Sequence, residues 1–132
     1  MRILKNKAFS KWAAKEGVCD RALMKAAEEM GLGLVDADMG GHVFKKRVAL
    51  AGRGKQGGAR TLLVYRADDK AFFVYGFAKN TRANIKAEEL NGLKKLAKEL
   101  LGYSDRQLEL AIGNGALIEV KGDEESNPRC DK

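Results

Sequence analysis

The sequence predicts an α+β fold: a small antiparallel β-sheet, made of a three-strand meander with further edge strands, carries two N-terminal helices and is followed by one or two C-terminal helices. Three features of the chain predict it. Apolar residues recur at helical spacing over the first thirty positions, the period shortens toward two between residues 43 and 77, and helical spacing returns from Ile85. With 132 residues there is material for one core, so a single domain is expected over residues 1–121, with 122–132 as a flexible tail.

In chain order, Arg2, Ile3 and Leu4 suit a short opening strand. Phe9, Trp12, Ala13 and Glu16 then share a helical face, with Asn6 as N-cap and Gly17 as stop, which gives a helix of about ten residues. Asp20 is placed to cap a second helix in which Leu23, Ala27 and Met30 align before Gly31. The glycines and aspartates from Gly33 to Gly41 read as a loop, and His42 as a turn residue. Strands are expected over 43–50, 59–66 and 71–77, the last two rich in β-branched and aromatic residues. A glycine loop over 52–58 joins the first pair, and Asp68-Asp69-Lys70 turns the chain into the third. Ile85, Leu90, Leu93, Leu96 or Ala97, and Leu100 trace the stripe of the longest helix, with Glu88 and Glu89 in its first turn and Gly102 at its end. Ser104 and Gln107 form a capping box for a shorter helix carrying Leu108, Ala111 and Ile112, and Leu117 to Val120 suit a last strand.

Composition excludes several classes. Hydrophobic residues make up 45% and charged residues 33%, which is globular rather than disordered. No run approaches the roughly 18 apolar residues of a membrane span, and the first residues lack the apolar core of a secretion signal, so a cytoplasmic protein without membrane contact is expected. Cys19 and Cys130 lie far apart with no Cys-x-x-Cys or Cys/His spacing, which suggests two separate thiols and calls for no metal or cofactor. Charge is distributed unevenly: residues 1–87 hold 18 Lys/Arg against 8 Asp/Glu, whereas residues 88–132 hold 7 against 10. The first part therefore faces a polyanion.

The densest block is 45–66, with seven basic residues and no acidic one. Alternation along a strand sends Lys45 and Arg47 to one face and Phe44, Lys46 and Val48 to the other. Arg60 shares a face with Leu62, Val64 and Arg66, just inside the glycine loop, where a guanidinium can fork onto two phosphate oxygens. The loop holds a literal G-x-G-x-x-G, yet strands rather than a strand and a helix flank it, so it is no dinucleotide fingerprint. It reads as a flexible basic turn whose backbone, with Arg53 and Lys55, can approach a phosphate; a merely solvated hairpin is the bland alternative. A second cluster, with Lys79, Asn80, Arg82 and Lys86, lies between the third strand and the long helix, where amides also attract anions. Register lets the two clusters converge. Tyr65, Phe73 and Tyr75 can stack on bases or fill the core.

Lys45-Lys46-Arg47, Gly54-Lys55-x-Gly57-Gly58-x-Arg60-Thr61 and Phe72-Phe73-x-Tyr75-Gly76-Phe77-Ala78-Lys79-Asn80, in that order, resemble the RelE/HigB superfamily of bacterial type II toxin–antitoxin toxins over roughly residues 2–112. The resemblance implies a ribosome-dependent, metal-independent mRNA endonuclease, restrained by a cognate antitoxin with which it can form a heterotetramer. It assigns Arg60 to the transition-state phosphate, Lys46 or Lys45 to proton transfer or phosphate neutralisation, and Arg47, Lys79 and Arg82 to the RNA backbone, with Arg53, Lys55, Asn80 and Tyr75 as further RNA contacts. Such toxins often carry Tyr or His near the start of the last helix. Lys86 stands there in this chain, so Lys86, Tyr75 or His42 is left to move the proton. The segment after Gly102 is expected to extend beyond shorter relatives, to dock a partner or lengthen the core. Two other readings stay open: a ParE-like toxin that inhibits DNA gyrase without nuclease activity, and a non-catalytic RNA-binding module.

Overall fold

The computed structural model describes residues 1–50, 54–67, 69–78 and 85–120, excepting the side chains of 49, 50 and 54–57. Its strands are β1 (Arg2–Asn6), β2 (Ala37–Gly40), β3 (Val43–Leu50), β4 (Gly54–Arg66), β5 (Lys70–Ala78) and β6 (Leu117–Glu119). Its helices are α1 (Lys7–Glu16), α2 (Asp20–Gly31), α3 (Ala87–Leu101) and α4 (Asp105–Gly113). The α+β expectation holds, with a fuller sheet than the meander: six strands in the order β2-β3-β4-β5-β1-β6. β1 runs parallel to β5, and the other neighbours are antiparallel.

Local chemistry starts and stops the helices. Asn6 accepts a bond from the Phe9 amide at 2.7 Å and Gly17 closes α1 in the left-handed region, at φ 81°, as its lack of a Cβ allows. Asp20 does not cap α2. Cys19 takes the N-cap position without a side-chain capping hydrogen bond, and Asp20, the first helical residue, pairs with Lys5 at 2.8 Å. Its charge still favours the helix N-terminus. Cys19 is disulfide-bonded, which corrects the expectation of two separate thiols. Ser104 and Gln107 form the expected reciprocal capping box.

Two strand expectations change. β2 forms within the glycine–aspartate loop because pairing with β3 supplies its backbone partners. β4 begins at Gly54, so most of the expected glycine loop is strand, with Gly54 opposite Leu50. Ladder pairing outweighs the weak strand preference of glycine. Residues 51–53 and the tail at 122–132 lie outside the described residues.

Helices cover both faces of the sheet. α1 and α2 bury Phe9, Leu23 and Met30 against Val48, Leu63 and Phe73. α3 and α4 bury Ala97, Leu100 and Leu108 against Val43, Leu62, Val64 and Phe72. The segment after Gly102 is core: β6 pairs with β1, and Arg2 binds Glu119 at 3.0 Å and Glu109 at 2.9 Å, tying β1 to β6 and α4. Among the described residues no helix is long and apolar enough to cross a membrane.

Candidate nucleic-acid interface

Under α3 the apolar cluster reaches Leu62, and the next residue of β4 on that face is Arg60. Arg60 stands directly opposite Arg47 on β3, and Lys45 lies opposite Leu62. Like charges directly opposed across a ladder are destabilising. Three cations thus crowd the point where the cover of α3 ends. The Nη1 atom of Arg60 is buried and has no hydrogen-bond partner among the described residues. A buried donor left in that state costs roughly 1–3 kcal/mol, which an anion bound there would offset.

Arg47 is partly restrained. Its backbone amide and Nε both donate to Asp36, the latter at 3.1 Å. Burial raises the Asp36 carboxyl, but the Arg47 bonds and the nearby charge of Lys46 outweigh it and hold the group below its ordinary value. The remaining guanidinium N–H groups of Arg47, whose side chain is 46% exposed, can still meet a phosphate.

Lys46 goes elsewhere. Strand alternation points it beneath α2, where it is 5% exposed and its Nζ lies 2.8 Å from both Glu29 Oε1 and the Leu34 carbonyl. Lys46, expected to share in proton transfer or phosphate neutralisation, is thus turned away from Arg60. Its ammonium is neutralised on the far side of the sheet from Arg60.

β5 supplies the aromatic wall. A register shift between Leu62 and Leu63 lets Val74 and Tyr75 both meet the α3-side cluster. Tyr75 lies opposite Leu62, diagonal to Arg60, and its hydroxyl donates to Glu89 Oε2 at 2.9 Å. The other Glu89 oxygen accepts the Lys86 amide at 3.1 Å. Glu89 thus couples Tyr75 to the start of α3, while the Lys86 side chain is exposed at the N-cap position. Next to Tyr75, Gly76 lets Trp12 of α1 pack against β5 from the other face, since a Cβ there would lie 2.3 Å from the Trp12 ring. Tyr65 and Phe73 are buried in the opposite cluster and are core residues.

Of the residues singled out in the sequence, Arg60, Lys45, Arg47 and Tyr75 are brought together, with Lys86 linked to Tyr75 through Glu89. Arg53, Lys79, Asn80 and Arg82, and the side chain of Lys55, lie outside the described residues. His42 is a turn residue at φ 65°, bonded through Nδ1 to the Tyr65 carbonyl at 3.3 Å. Sequence reasoning missed Glu89, whose place in a first helical turn signalled only capping. Among the described residues no three His, Cys, Asp or Glu side chains gather to hold a metal ion.

A family profile described as the RelE toxin of the RelE / RelB toxin-antitoxin system matches residues 1–120, so it takes in α4 and β6 as well. No curated protein matches the chain.

Proposed function

The chain belongs to the RelE toxin family, and from that premise we propose that it is a ribosome-dependent mRNA endonuclease that arrests translation in the cytoplasm until its cognate antitoxin binds. The observation that carries this reading is Arg60, a buried, unsatisfied guanidinium edge set against a second arginine. That arrangement suits a phosphate. RNA cleavage requires the 2′-hydroxyl to lose its proton and attack the adjacent phosphorus, and the 5′-oxygen to gain a proton as its bond breaks. Charge accumulates on the phosphorane oxygens between those events, and fixed cations stabilise it.

In this assignment Arg60 holds the phosphorane, Lys45 and Arg47 neutralise flanking phosphates, and Tyr75 offers a base-stacking face. Proton transfer falls to Tyr75, through its bond to Glu89, or to Lys86. Lys46 is left out because Glu29 already neutralises it. Arg53, Lys55, Lys79, Asn80 and Arg82 remain candidate backbone contacts by position in the sequence.

Induced expression followed by primer extension on a translated message tests the proposal. Codon-positioned cuts that disappear in Arg60→Ala are expected. Growth arrest with intact message would sink the nuclease reading and favour a gyrase-type target.

A further inference from the structure

We propose that a cleft at the opposite end of α3 binds a second RNA phosphate, apart from the Arg60 cluster; this rests on the RNA-directed reading above. The cleft has a volume of about 430 Å³ and is lined by Gly41, His42, Arg66, Lys94 and Lys98 beside the C-terminus of α3, with no acidic side chain among the described residues of its wall. Arg66 belongs to the same face of β4 as Arg60. Six residues separate them, or about 20 Å at the rise of a strand. The two basic sites therefore occupy one side of the molecule, with the N-terminus of α3 near one and its C-terminus near the other.

The lysines are arranged at a cost. Lys94 and Lys98 are four residues apart on one helix, a like-charge spacing that disfavours the helix. The helix dipole accounts for Lys98 in the last turn, but Lys94 lies two turns before the end, beyond the reach of that effect. Among the described residues neither has an acidic partner, and Arg66 has only an exposed contact with Asp69 at 3.5 Å.

The turn that forms the other wall packs against Lys94. Gly40, Gly41 and His42 all adopt positive φ, at 87°, 60° and 65°. A Cβ on Gly40 would lie 3.2 Å from Lys94 Nζ, and one on Gly41 would lie 3.1 Å from Lys94 Cγ. The lysine stem thus lies along glycine backbone, with its ammonium at the cleft. Three cations converging on one concave wall, with no acid among its described residues, suit an oxyanion with several acceptor oxygens.

The test measures binding of the full chain to two RNAs across a salt series: a 12-nucleotide 2′-O-methylated single strand, which cannot be cleaved, and an RNA duplex of equal length. The Lys94→Gln/Lys98→Gln double variant should lower the log–log salt slope by about 0.7 on the single strand for one lost phosphate contact. Lys94→Arg/Lys98→Arg should restore it, and Arg66→Gln should lower it independently. A change on the single strand assigns the site to message, and a change on the duplex to folded RNA. Wild-type slopes on both RNAs in the glutamine variant, with a reduced slope in Arg60→Ala, would overturn the cleft while leaving the nuclease reading intact. Unchanged slopes in every variant would overturn both. Unchanged RNA slopes with loss of antitoxin affinity would make the cleft a protein-docking surface and likewise overturn the proposal.

Discussion

Beneath α1 and α2, Lys46 is 5% exposed and neutralised by Glu29, whereas beneath α3 its sequence neighbours Lys45 and Arg47 stand beside an Arg60 whose Nη1 has no partner. The cations come from one short run of sequence and differ in which face of the sheet receives them. A buried charge with a good partner holds structure together; three crowded cations that share a single acid among the described residues, Asp36 on Arg47, are poised for an external anion. Position relative to the helix cover thus separates scaffold from site, where residue type does not.

The largest effect that could break this distinction is at Lys46. Lys46→Ala removes the buried ammonium that meets both Glu29 and the Leu34 carbonyl and should cost about 3–5 kcal/mol in urea unfolding. A loss below about 1 kcal/mol would mean that Lys46 is not the structural cation its partners imply. Arg60→Ala should show the opposite pattern, with cleavage on ribosomes falling by roughly 10²- to 10³-fold. Its unfolding midpoint should hold or rise, because Arg47 loses a like-charged neighbour.

Gly76→Ala sharpens the comparison from the covered side. The added methyl meets the Trp12 ring, so stability should fall by about 1–3 kcal/mol, with a change in Trp12 fluorescence reporting the displaced ring. The smallest effect belongs to Asp36. Its carboxyl is held below the ordinary 3.8, so its contribution is complete above that pH and fades as pH falls through the lower folded value. Asp36→Asn should therefore be less stable than wild type at pH 7, with the difference closing as pH drops below 3.8. A gap that widens in acid would show that Arg47 is not what stabilises the carboxylate.

Much of the frame is legible in sequence because its causes are local. Asn6 and Gly17 bracket α1, Ser104 and Gln107 open α4, and period-two alternation assigns Lys45 and Lys46 to opposite faces. β2 escapes notice because Asp38 and Gly40 are poor strand formers that become strand only through β3. The extent of β4 escapes for the same reason, since Gly54 is fixed by Leu50 across the ladder. Alternation could show that Lys45 and Lys46 part company, but not which of them would meet an acid.

The sequence by itself determined an α+β chain with a basic, acid-free strand pair and helices bounded by their own caps, since those properties depend on residues a few positions apart. Only the tertiary structure decided that Lys46 meets Glu29, that Gly76 lies under Trp12, that Glu89 joins Tyr75 to α3, and that Arg60 remains unsatisfied. The physical reason is that partner, burial and cover are properties of distant segments packed together. A side chain's charge is written in the sequence, while its neutralisation depends on what the fold brings within hydrogen-bond reach.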